Sequence, residues 1–301
     1  MNVVALSGGF GGAKFVRALV ETLGGEHVTA VVNVGDDLEF LGLRISPDLD
    51  SVLYALAGVA DEERGWGRAG ETWNALDTVS RLGDPDWFKL GDRDLGLHVV
   101  RTNALRSGEP LSAFTRRAAR AFAVGATMLP ATDDELRTFV ITPAGTFSFQ
   151  EWYVARGHRD DVEGVDVRGE ARPAPGVLDA LGAADMVLIG PSNPYLSVGP
   201  ILAVPEIRAA ILDRRVPCVA VSPLVGGRAV KGPADRMLAR FAGGTTAAHV
   251  ASVYAGLIDA IVVDEGDDVS ELGVPPIVTR TLMQDEESRR RVAEAAVSVP
   301  V

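Results

Sequence analysis

The hydrophobic pattern of the chain alternates between short apolar runs and longer stretches in which apolar residues recur at helical spacing. Apolar runs rich in β-branched residues cover residues 3–6, 28–34, 186–189, 216–221 and 258–263. Runs of this kind are typical of strands that are buried on both faces between helices. The pattern therefore predicts an α/β fold built on a doubly wound, mostly parallel, Rossmann-like sheet.

Polar or glycine-rich turns follow four of these runs. They are Ser7-Gly8-Gly9, residues 33–37, residues 190–194 and Ser222-Pro223. In an open α/β sheet the ligand crevice lies beyond the carboxyl ends of the strands. We therefore expect these four turns to meet at one binding site.

The segment between the second run and Met186 does not show a simple alternation of strand and helix. Helical patterns cover residues 48–57, 71–82, 101–105 and 111–123, and strand patterns return within residues 138–167. Pro143-Ala144-Gly145 has the composition of a hairpin turn. We predict a Rossmann-like core of residues 1–40 and 170–301, and an inserted helical and β-hairpin lobe of residues 41–169 that covers the crevice.

Composition and charge narrow the classes of function. Hydrophobic residues make up 47% and charged residues 23% of the chain, which is ordinary for a globular protein. The formal net charge of −12 provides no basic surface, so nucleic acid is not expected as a partner. The chain begins with a strand pattern and has no apolar stretch of membrane-spanning length, so we expect a cytoplasmic protein that binds no membrane.

A glycine-rich loop, residues 7–14 with the sequence SGGFGGAK, follows the first strand and opens a predicted helix. Glycines let backbone N–H groups approach an anion, and a helix N-terminus adds free donors and a favourable dipole. The loop is neither a dinucleotide fingerprint, because Lys14 replaces the third glycine, nor a P-loop, because Phe15 follows the lysine. Phosphate binding is expected, and a tight turn without a ligand is the alternative.

Four carboxylates fall close to the end of the second strand. Asp36 and Asp37 follow the strand directly, and Asp48 and Asp50 lie at a predicted helix N-terminus. Capping of that helix explains one of the four. Since Mg²⁺ prefers carboxylate oxygens together with substrate phosphates, contact of Asp48 or Asp50 with a metal or substrate explains the group better.

Two further segments carry polar groups suited to an anionic ligand. WFKLGDRDL, residues 87–95, is followed by His98, Arg101 and Thr102, which share one face if the segment is helical. The turn GPSNPYLSVGP, residues 190–200, offers small polar side chains and backbone amides before a predicted helix that runs to about residue 212. A salt-bridged surface helix and a plain turn are the respective alternatives.

Together these motifs resemble one family. The segments GGFGGAK, VNVGDD, PDLDSVLYALAG, WFKLGDRDL with HVVRT, FQEWYV, GPSNPYLSVGPIL and SPLVGGRAVKGPA occur in the order typical of the 2-phospho-L-lactate transferase family of deazaflavin coenzyme (factor 420) biosynthesis. The resemblance spans residues 2–264. The alanine- and arginine-rich composition and the segment RGWG, residues 64–67, indicate the bacterial phosphoenolpyruvate transferase branch. Phe10 departs from the small or β-branched residue of the family pattern.

The resemblance implies a transferase that moves a phospholactyl or phosphoenolpyruvyl group from a guanosine diphosphate ester to the ribityl hydroxyl of the deazaflavin precursor Fo, releasing GMP. The sequence leaves open whether the group is phospholactyl, phosphoenolpyruvyl or phosphoglyceryl. A homodimer, the commonest closed assembly, is expected.

The resemblance also implies roles for individual residues. Mg²⁺ is the implied cofactor, held by Asp48 and Asp50, and catalytic roles fall to Asp50, Lys89 and Arg93. Asp50 and Lys89 would contact Fo under the inserted lobe. The substrate-binding residues implied are Gly9, Gly11, Gly12, Asp36, Asp37, Asp50, Lys89, His98, Ser192, Asn193 and Ser197.

Two other classes of protein are alternatives. A nucleotide-sugar-binding regulatory protein of the gluconeogenesis-factor group would share the glycine loop and the Gly190-Pro191 turn without turnover. The WFKLGDRDL and DLDS segments favour the transferase over this regulator. An NAD-dependent oxidoreductase is disfavoured by Lys14.

Overall fold

Strands and helices alternate through residues 1–299, the part of the chain that the computed structural model describes. The strands in chain order are β1 (Val3–Ser7), β2 (Val28–Val32), β3 (Leu38–Phe40), β4 (Leu43–Ile45), β5 (Thr127–Pro130), β6 (Arg137–Thr142), β7 (Gly145–Ser148), β8 (Gly164–Arg168), β9 (Met186–Ile189), β10 (Cys218–Val221), β11 (Leu224–Val225), β12 (Arg228–Ala229), β13 (Ala260–Asp264) and β14 (Pro276–Thr279).

The helices lie between these strands. In chain order they are α1 (Gly9–Leu23), α2 (Pro47–Leu56), α3 (Asn74–Leu82), α4 (Asp92–Arg106), α5 (Leu111–Ala121), α6 (Val177–Ala183), α7 (Gly199–Leu202), α8 (Pro205–Leu212), α9 (Ala234–Phe241), α10 (Ala247–Val253) and α11 (Glu286–Val297). Helix α1 packs against both α2 and α11.

Seven strands form one central sheet in the order β14-β13-β10-β9-β1-β2-β5, and every neighbouring pair is parallel. Strand β1 lies between β2 and β9, with Ala5 opposite Ala30 on one side and Leu188 on the other. Every residue of β1, β9, β10 and β13 is buried, as expected for strands covered on both faces. The predicted doubly wound, Rossmann-like sheet is confirmed.

The hydrophobic pattern does not predict the two edge strands of this sheet. Strand β5 ends at Pro130, and β14 begins at Pro276 and alternates exposed with partly buried residues. Proline lacks a donor for the strand ladder and is tolerated at sheet edges. Short edge strands of this kind carry no continuous apolar run that would mark them in the sequence.

Residues 41–169 contain the predicted helices and the predicted hairpin. Strands β6 and β7 pair antiparallel around the turn at Pro143-Ala144-Gly145, and β8 pairs with the other side of β6. Val140 and Trp152 form a small core with Leu196 and Met237 from outside this segment. The buried apolar residues of α2 belong to the main core, and β5 belongs to the central sheet. The assignment of residues 41–169 to a separate lobe stays a prediction.

The helix predicted after β9 is divided into three pieces. A π-helical turn, Pro194–Val198, leads into α7 and then α8, and a proline stands at the first or second position of each piece. Within residues 1–299 no single helix is long and apolar enough to cross a membrane. The pair Pro194–Leu202 and Pro205–Leu212, bent by 90°, meets that test by length and composition only.

Candidate functional site

A cavity of about 900 Å³ lies at the carboxyl ends of the central strands. The turns after β1, β2, β9 and β10 all line it, as the sequence predicts, through Gly9, Asp36, Ser192 and Ser222. The aromatic and cationic side chains that line the cavity are Phe10, Lys14, Arg64, Trp66, Phe88, Lys89, Phe149, Tyr153 and Lys231. The cavity is large enough to hold a nucleotide-sized ligand.

The glycine-rich loop forms one wall of the cavity, and most of it is the first turn of α1, which begins at Gly9. A Cβ on three of its glycines would come within 3.0 Å of a neighbour: Gly8 to Asp48 and Ser197, Gly11 to the Pro191 carbonyl oxygen, and Gly12 to Ser192 and Ser7. Gly9 has room on its open side and a φ of +66°. Close packing explains why residues 8, 11 and 12 are glycines. Gly9 and Gly11 line the cavity, whereas Gly12 is not among its lining residues.

Asp48, near the start of α2, faces the N-terminus of α1. Its Oδ1 accepts the Gly9 N–H at 2.6 Å, and its Oδ2 accepts Asn33 Nδ2 at 2.9 Å. The same amide nitrogen donates to Asp36 Oδ1 at 2.9 Å, and Gln150 Nε2 donates to Asp36 Oδ2 at 3.3 Å. Asn33 thus holds two carboxylates side by side at the cavity. We call Asp36 and Asp48 the acidic pair.

The acidic pair is buried and lacks a counter-charge. Asp36 is 6% and Asp48 5% exposed, and within residues 1–299 neither carboxylate has a Lys, Arg or His nitrogen within 4.0 Å. Burial, together with the neighbouring charge of Asp48, raises the pKa of Asp36 well above its ordinary value. Burial also raises the pKa of Asp48 to about 6.

This donor set fits Mg²⁺, which needs only one or two carboxylates beside phosphate oxygens and water. Asp36 and Asp48 supply the two carboxylates. The described part of the chain contains no group of three or more His, Cys, Asp or Glu side chains placed to hold a metal ion. The remaining ligands of a magnesium ion would therefore come from substrate and water.

The raised pKa values predict how the stability of the metal-free protein depends on pH. The pKa of Asp48 is about 6, that of Asp37 about 7 and that of Asp94 about 6, all above the ordinary 3.8. The folded state therefore binds more protons than the unfolded state between about pH 4 and 7, and the free energy of unfolding falls as the pH rises. His98, whose pKa is lowered to about 4, and His158, whose pKa burial also lowers, have the opposite effect but are outnumbered by the carboxylates with raised pKa values.

Thermal melts between pH 5 and pH 7.5, with and without excess MgCl₂, measure this dependence. We expect Tm to fall across the series without metal. Mg²⁺ should raise Tm more at the upper end, where the acidic pair is ionised and binds a cation better. A Tm that stays level or rises with pH in the absence of metal would contradict the prediction.

Asp50 points away from the cavity, because residues two apart on a helix lie on nearly opposite sides. Both of its carboxylate oxygens accept from the Arg101 guanidinium, Oδ2 at 3.0 Å, and His98 Nδ1 lies 3.7 Å from Oδ2. All three side chains are buried. The structure therefore does not bring Asp50 together with Asp48, and the ion pair instead ties α2 to α4. The metal-binding and catalytic roles of Asp50 stay predictions that its position does not support.

Asp37 faces away from Asp36, because the two residues lie on a turn that the Asp37 N–H closes by donating to the Val34 carbonyl oxygen at 3.1 Å. It lines a second pocket of about 250 Å³ together with Arg44 and Arg137. Its Oδ2 accepts from Ser46 Oγ at 2.7 Å, and burial raises its pKa to about 7. The two aspartates of the VNVGDD segment therefore belong to different pockets.

The site residues predicted within residues 87–102 divide between the rim of the cavity and the protein core. Lys89 lies at the exposed rim of the cavity, with Nζ 3.3 Å from Asp86 Oδ2. Arg93 is exposed and donates to the Ala69 carbonyl oxygen at 3.1 Å, away from the cavity walls. His98, Arg101 and Thr102 share the buried face of α4, as their spacing predicts, but this face packs on Asp50 and not on the cavity.

The polar residues of the turn after β9 all line the cavity. Ser192 Oγ donates to the Gly8 carbonyl oxygen at 2.8 Å. Asn193 Oδ1 accepts the N–H groups of Tyr195 and Leu196 at 2.9 and 3.2 Å, so its side chain caps the π-helical turn. Ser197 lies beside the glycine loop. The first two side chains therefore shape the wall and leave backbone groups and Ser197 to meet a ligand.

Four residues of the site have no role in the sequence analysis. Asn33 and Gln150 hold the acidic pair, and Tyr153 and Lys231 line the cavity. All four lie inside segments that carry the family resemblance: VNVGDD, FQEWYV and SPLVGGRAVKGPA. The sequence could have indicated these residues as polar and aromatic positions within those segments. Only the fold shows that the segments meet at one cavity.

The family model described as 2-phospho-L-lactate transferase CofD matches residues 3–284. The chain belongs to this CofD family. It is therefore a transferase of a phosphate-containing group, and the family predicted from the motifs is confirmed.

Curated relatives match the CofD-family chain along nearly its whole length. Proteins named phosphoenolpyruvate transferase are 41% identical over 312 residues in Streptomyces coelicolor, 42% over 316 residues in Thermobifida fusca and 38% over 325 residues in Mycolicibacterium smegmatis. In each case the match covers 99% of this chain and 98% of the relative.

Solved structures agree with the CofD-family chain in fold. Two crystal structures of a UPF0052-family protein from Bacillus halodurans superpose with a TM-score of 0.65 at 19% and 21% sequence identity. Each covers 98% of this chain and 99% of that protein. At this identity the likeness concerns the fold alone.

Proposed function

We propose that the protein transfers a phospholactyl or phosphoenolpyruvyl group from a guanosine diphosphate ester to the ribityl hydroxyl of Fo, releasing GMP, in coenzyme factor 420 biosynthesis. The observation that carries the proposal is the acidic pair, buried without a counter-charge in a cavity large enough for both substrates. Membership of the CofD family and the phosphoenolpyruvate transferase relatives support the same reaction.

The donor's diphosphate would lie at the acidic pair. Asp36 and Asp48 would hold Mg²⁺, which when bound neutralises phosphate charge and polarises the phosphorus. Gly9 and Ser197 stand beside the pair with room for phosphate oxygens. The net charge of −12 makes such local charge compensation necessary for a ligand with several negative charges.

The flat ring of Fo would lie among the aromatic side chains of the cavity. Phe88, Phe149 and Tyr153 line it from residues 41–169, and Phe149 stacks on Tyr153 with 5.2 Å between ring centroids. Offset stacking on such rings stabilises a planar ligand by dispersion and quadrupole interactions. Lys89 at the rim is placed to contact the same ligand.

The reaction asks chiefly for positioning and charge stabilisation. A bond forms between the ribityl oxygen and the outer phosphorus, the bond from that phosphorus to the GMP oxygen breaks, and the hydroxyl proton passes to solvent water. Asp48 would take part as a metal ligand and charge-stabilising group, because one carboxylate cannot easily hold the metal and accept the proton as well. Asn33 and the Gly9 N–H keep that carboxylate oriented.

A transfer assay tests the proposal. The protein is incubated with Fo, MgCl₂ and, separately, the lactyl, enolpyruvyl and glyceryl esters of guanosine diphosphate, and the products are identified by mass spectrometry. We expect a Fo phosphodiester and an equal amount of GMP with at least the lactyl or the enolpyruvyl ester. Tight binding of a uridine diphosphate sugar with no product from any ester would instead favour the regulatory protein.

A further inference from the structure

Lysine is rare in this chain and occurs only at the cavity. Three of the 29 Lys and Arg residues are lysines, namely Lys14, Lys89 and Lys231, and all three line the same cavity. Elsewhere the chain uses arginine for its positive charges. Lysine differs from arginine in being a compact, strongly hydrated point charge with three rotatable donors, so it suits a single oxyanion and not a bidentate ion pair.

Lys14 and Lys231 meet around one aromatic ring. Lys14 Nζ lies 4.8 Å and Lys231 Nζ 5.2 Å from the centroid of the Phe10 ring. Lys14 donates to the Met283 carbonyl oxygen at 3.1 Å, and Lys231 donates to the Gly65 carbonyl oxygen at 2.8 Å. Each ammonium therefore has one backbone acceptor and two further donors. We call Lys14, Phe10 and Lys231 the lysine cluster.

The lysine cluster carries positive charge without an acidic partner. Within residues 1–299 no carboxylate oxygen lies within 4.0 Å of either ammonium, although the chain has 41 acidic residues. Glu62, which lies near Lys14, pairs with Arg17 at 2.7 Å. Burial lowers the pKa of both lysines, and for Lys231 the charge of Lys14 lowers it further. Two cations held together without an acid are an incomplete site for an anion.

We propose that the lysine cluster is an oxyanion subsite for the donor, separate from the acidic pair. The proposal rests on the proposed function, because the donor is a diphosphate ester that also carries a carboxylate. The acidic pair would hold diphosphate oxygens through Mg²⁺, and the lysine cluster holds an oxyanion that the metal does not reach. The oxyanion is either the carboxylate of the transferred group or a second diphosphate oxygen, which have the same chemistry toward an ammonium.

Phe10 explains how two like charges stay together in this subsite. Each ammonium gains a cation–π interaction with the ring. The ring and the Lys231 ammonium also lie close to Gly65. A Cβ added to Gly65 would be 3.7 Å from the Phe10 ring and 2.8 Å from Lys231 Nζ. Phe10 thus acts as a positioning residue, fixing the spacing of the two ammonium groups.

Isothermal titration of two ligands tests the subsite. GDP, which lacks the carboxylate, and enolpyruvyl diphosphoguanosine are titrated in MgCl₂ into the wild-type protein, Lys14→Gln, Lys231→Gln and Phe10→Leu. Loss of a charge-assisted hydrogen bond is expected to weaken binding roughly 10- to 100-fold in each glutamine variant. Phe10→Leu should weaken binding less, because both ammonium groups remain.

The two ligands distinguish the two sources of the oxyanion. If the glutamine variants bind only the ester more weakly, the lysine cluster binds the carboxylate of the transferred group. If they bind both ligands more weakly, it binds a diphosphate oxygen. Affinities within twofold of wild type for both ligands in both glutamine variants would overturn the subsite, as would failure of the wild-type protein to bind either ligand. A wild-type protein that binds GDP through these lysines but transfers nothing to Fo would overturn the proposed function and keep the subsite.

Arg290→Gln serves as the matched control. It removes one positive charge from an exposed pair with Glu286 on α11, outside the cavity. Its affinities for both ligands should equal those of the wild type, so a general effect of net charge is separated from the effect of the cluster. Melting curves of all variants confirm that each protein titrated is folded.

Discussion

Arg101→Leu is expected to lower the free energy of unfolding by about 3–5 kcal/mol, the usual cost of leaving one member of a buried ion pair without its partner. Arg101 is 2% exposed and provides both donors to the Asp50 carboxylate, which is itself 6% exposed. His98 does not fully replace the lost charge, because burial, the largest cause of its lowered pKa, disfavours the charged imidazole in the variant as well. Urea unfolding at pH 7.5, followed by circular dichroism, measures the change.

Two further variants separate the ion pair from the loss of side-chain volume. Arg101→Leu combined with Asp50→Leu removes both charges, and it should recover much of the loss because a buried pair can be replaced by apolar side chains at little cost. Arg168→Leu, in an exposed pair with Asp166, should change stability by less than about 1 kcal/mol. A single Arg101→Leu variant as stable as Arg168→Leu would show that the pair is not needed.

Asp48→Ala is expected to lower kcat for transfer to Fo by at least about 100-fold, the lower range for loss of a charge-stabilising group. The variant loses one carboxylate of the acidic pair and the acceptor of the Gly9 N–H. The variant should still fold, because it removes a buried carboxylate whose charge repels that of Asp36. Burial, which raises the pKa of Asp48, already disfavours that charge in the folded protein. Initial rates at several MgCl₂ concentrations measure the loss and any change in metal requirement.

Asp166→Ala is the control for this variant, because it removes an exposed carboxylate that pairs only with a surface arginine. It should keep the wild-type rate. Asp50→Ala makes a second comparison: its loss of activity should follow loss of folded protein, because Arg101 would be left buried without a partner. A normal kcat in folded Asp48→Ala would remove Asp48 from the reaction.

The sequence predicts the central sheet and the location of the site because both follow from patterns that extend over several consecutive residues. Apolar runs mark the buried strands, and polar turns at their ends meet at one edge whatever the details of the helices. The direction of individual side chains is not predicted in this way. Asp36 and Asp37 are the same residue type at neighbouring positions, and so are Asp48 and Asp50. In each pair the two side chains point to opposite sides, so only one of them reaches the cavity.

The sequence also does not predict the hydrogen-bond and ion-pair partners of those side chains. Arg101 lies 51 residues from Asp50 and meets it only through the fold, which brings the long Arg101 side chain of α4 to the carboxylate on α2. Gln150 reaches Asp36 from a hairpin segment, and Lys231 reaches Phe10 from the loop after β12. Contacts of this kind depend on packing between segments that are distant in the sequence. The hydrophobic periodicity of the chain predicts local helices and strands, but it does not predict which distant segments meet.

The carboxylate of Asp48 at the N-terminus of α1 has a consequence for the order of binding. A helix N-terminus ordinarily attracts a free anion, but here a tethered carboxylate already accepts the Gly9 N–H and competes with any phosphate that arrives alone. A cation on the acidic pair would reverse this competition, so metal and donor would raise one another's affinity by the same factor. Under the proposed function the site would therefore discriminate between a nucleotide that carries its metal and one that does not, before any chemistry begins.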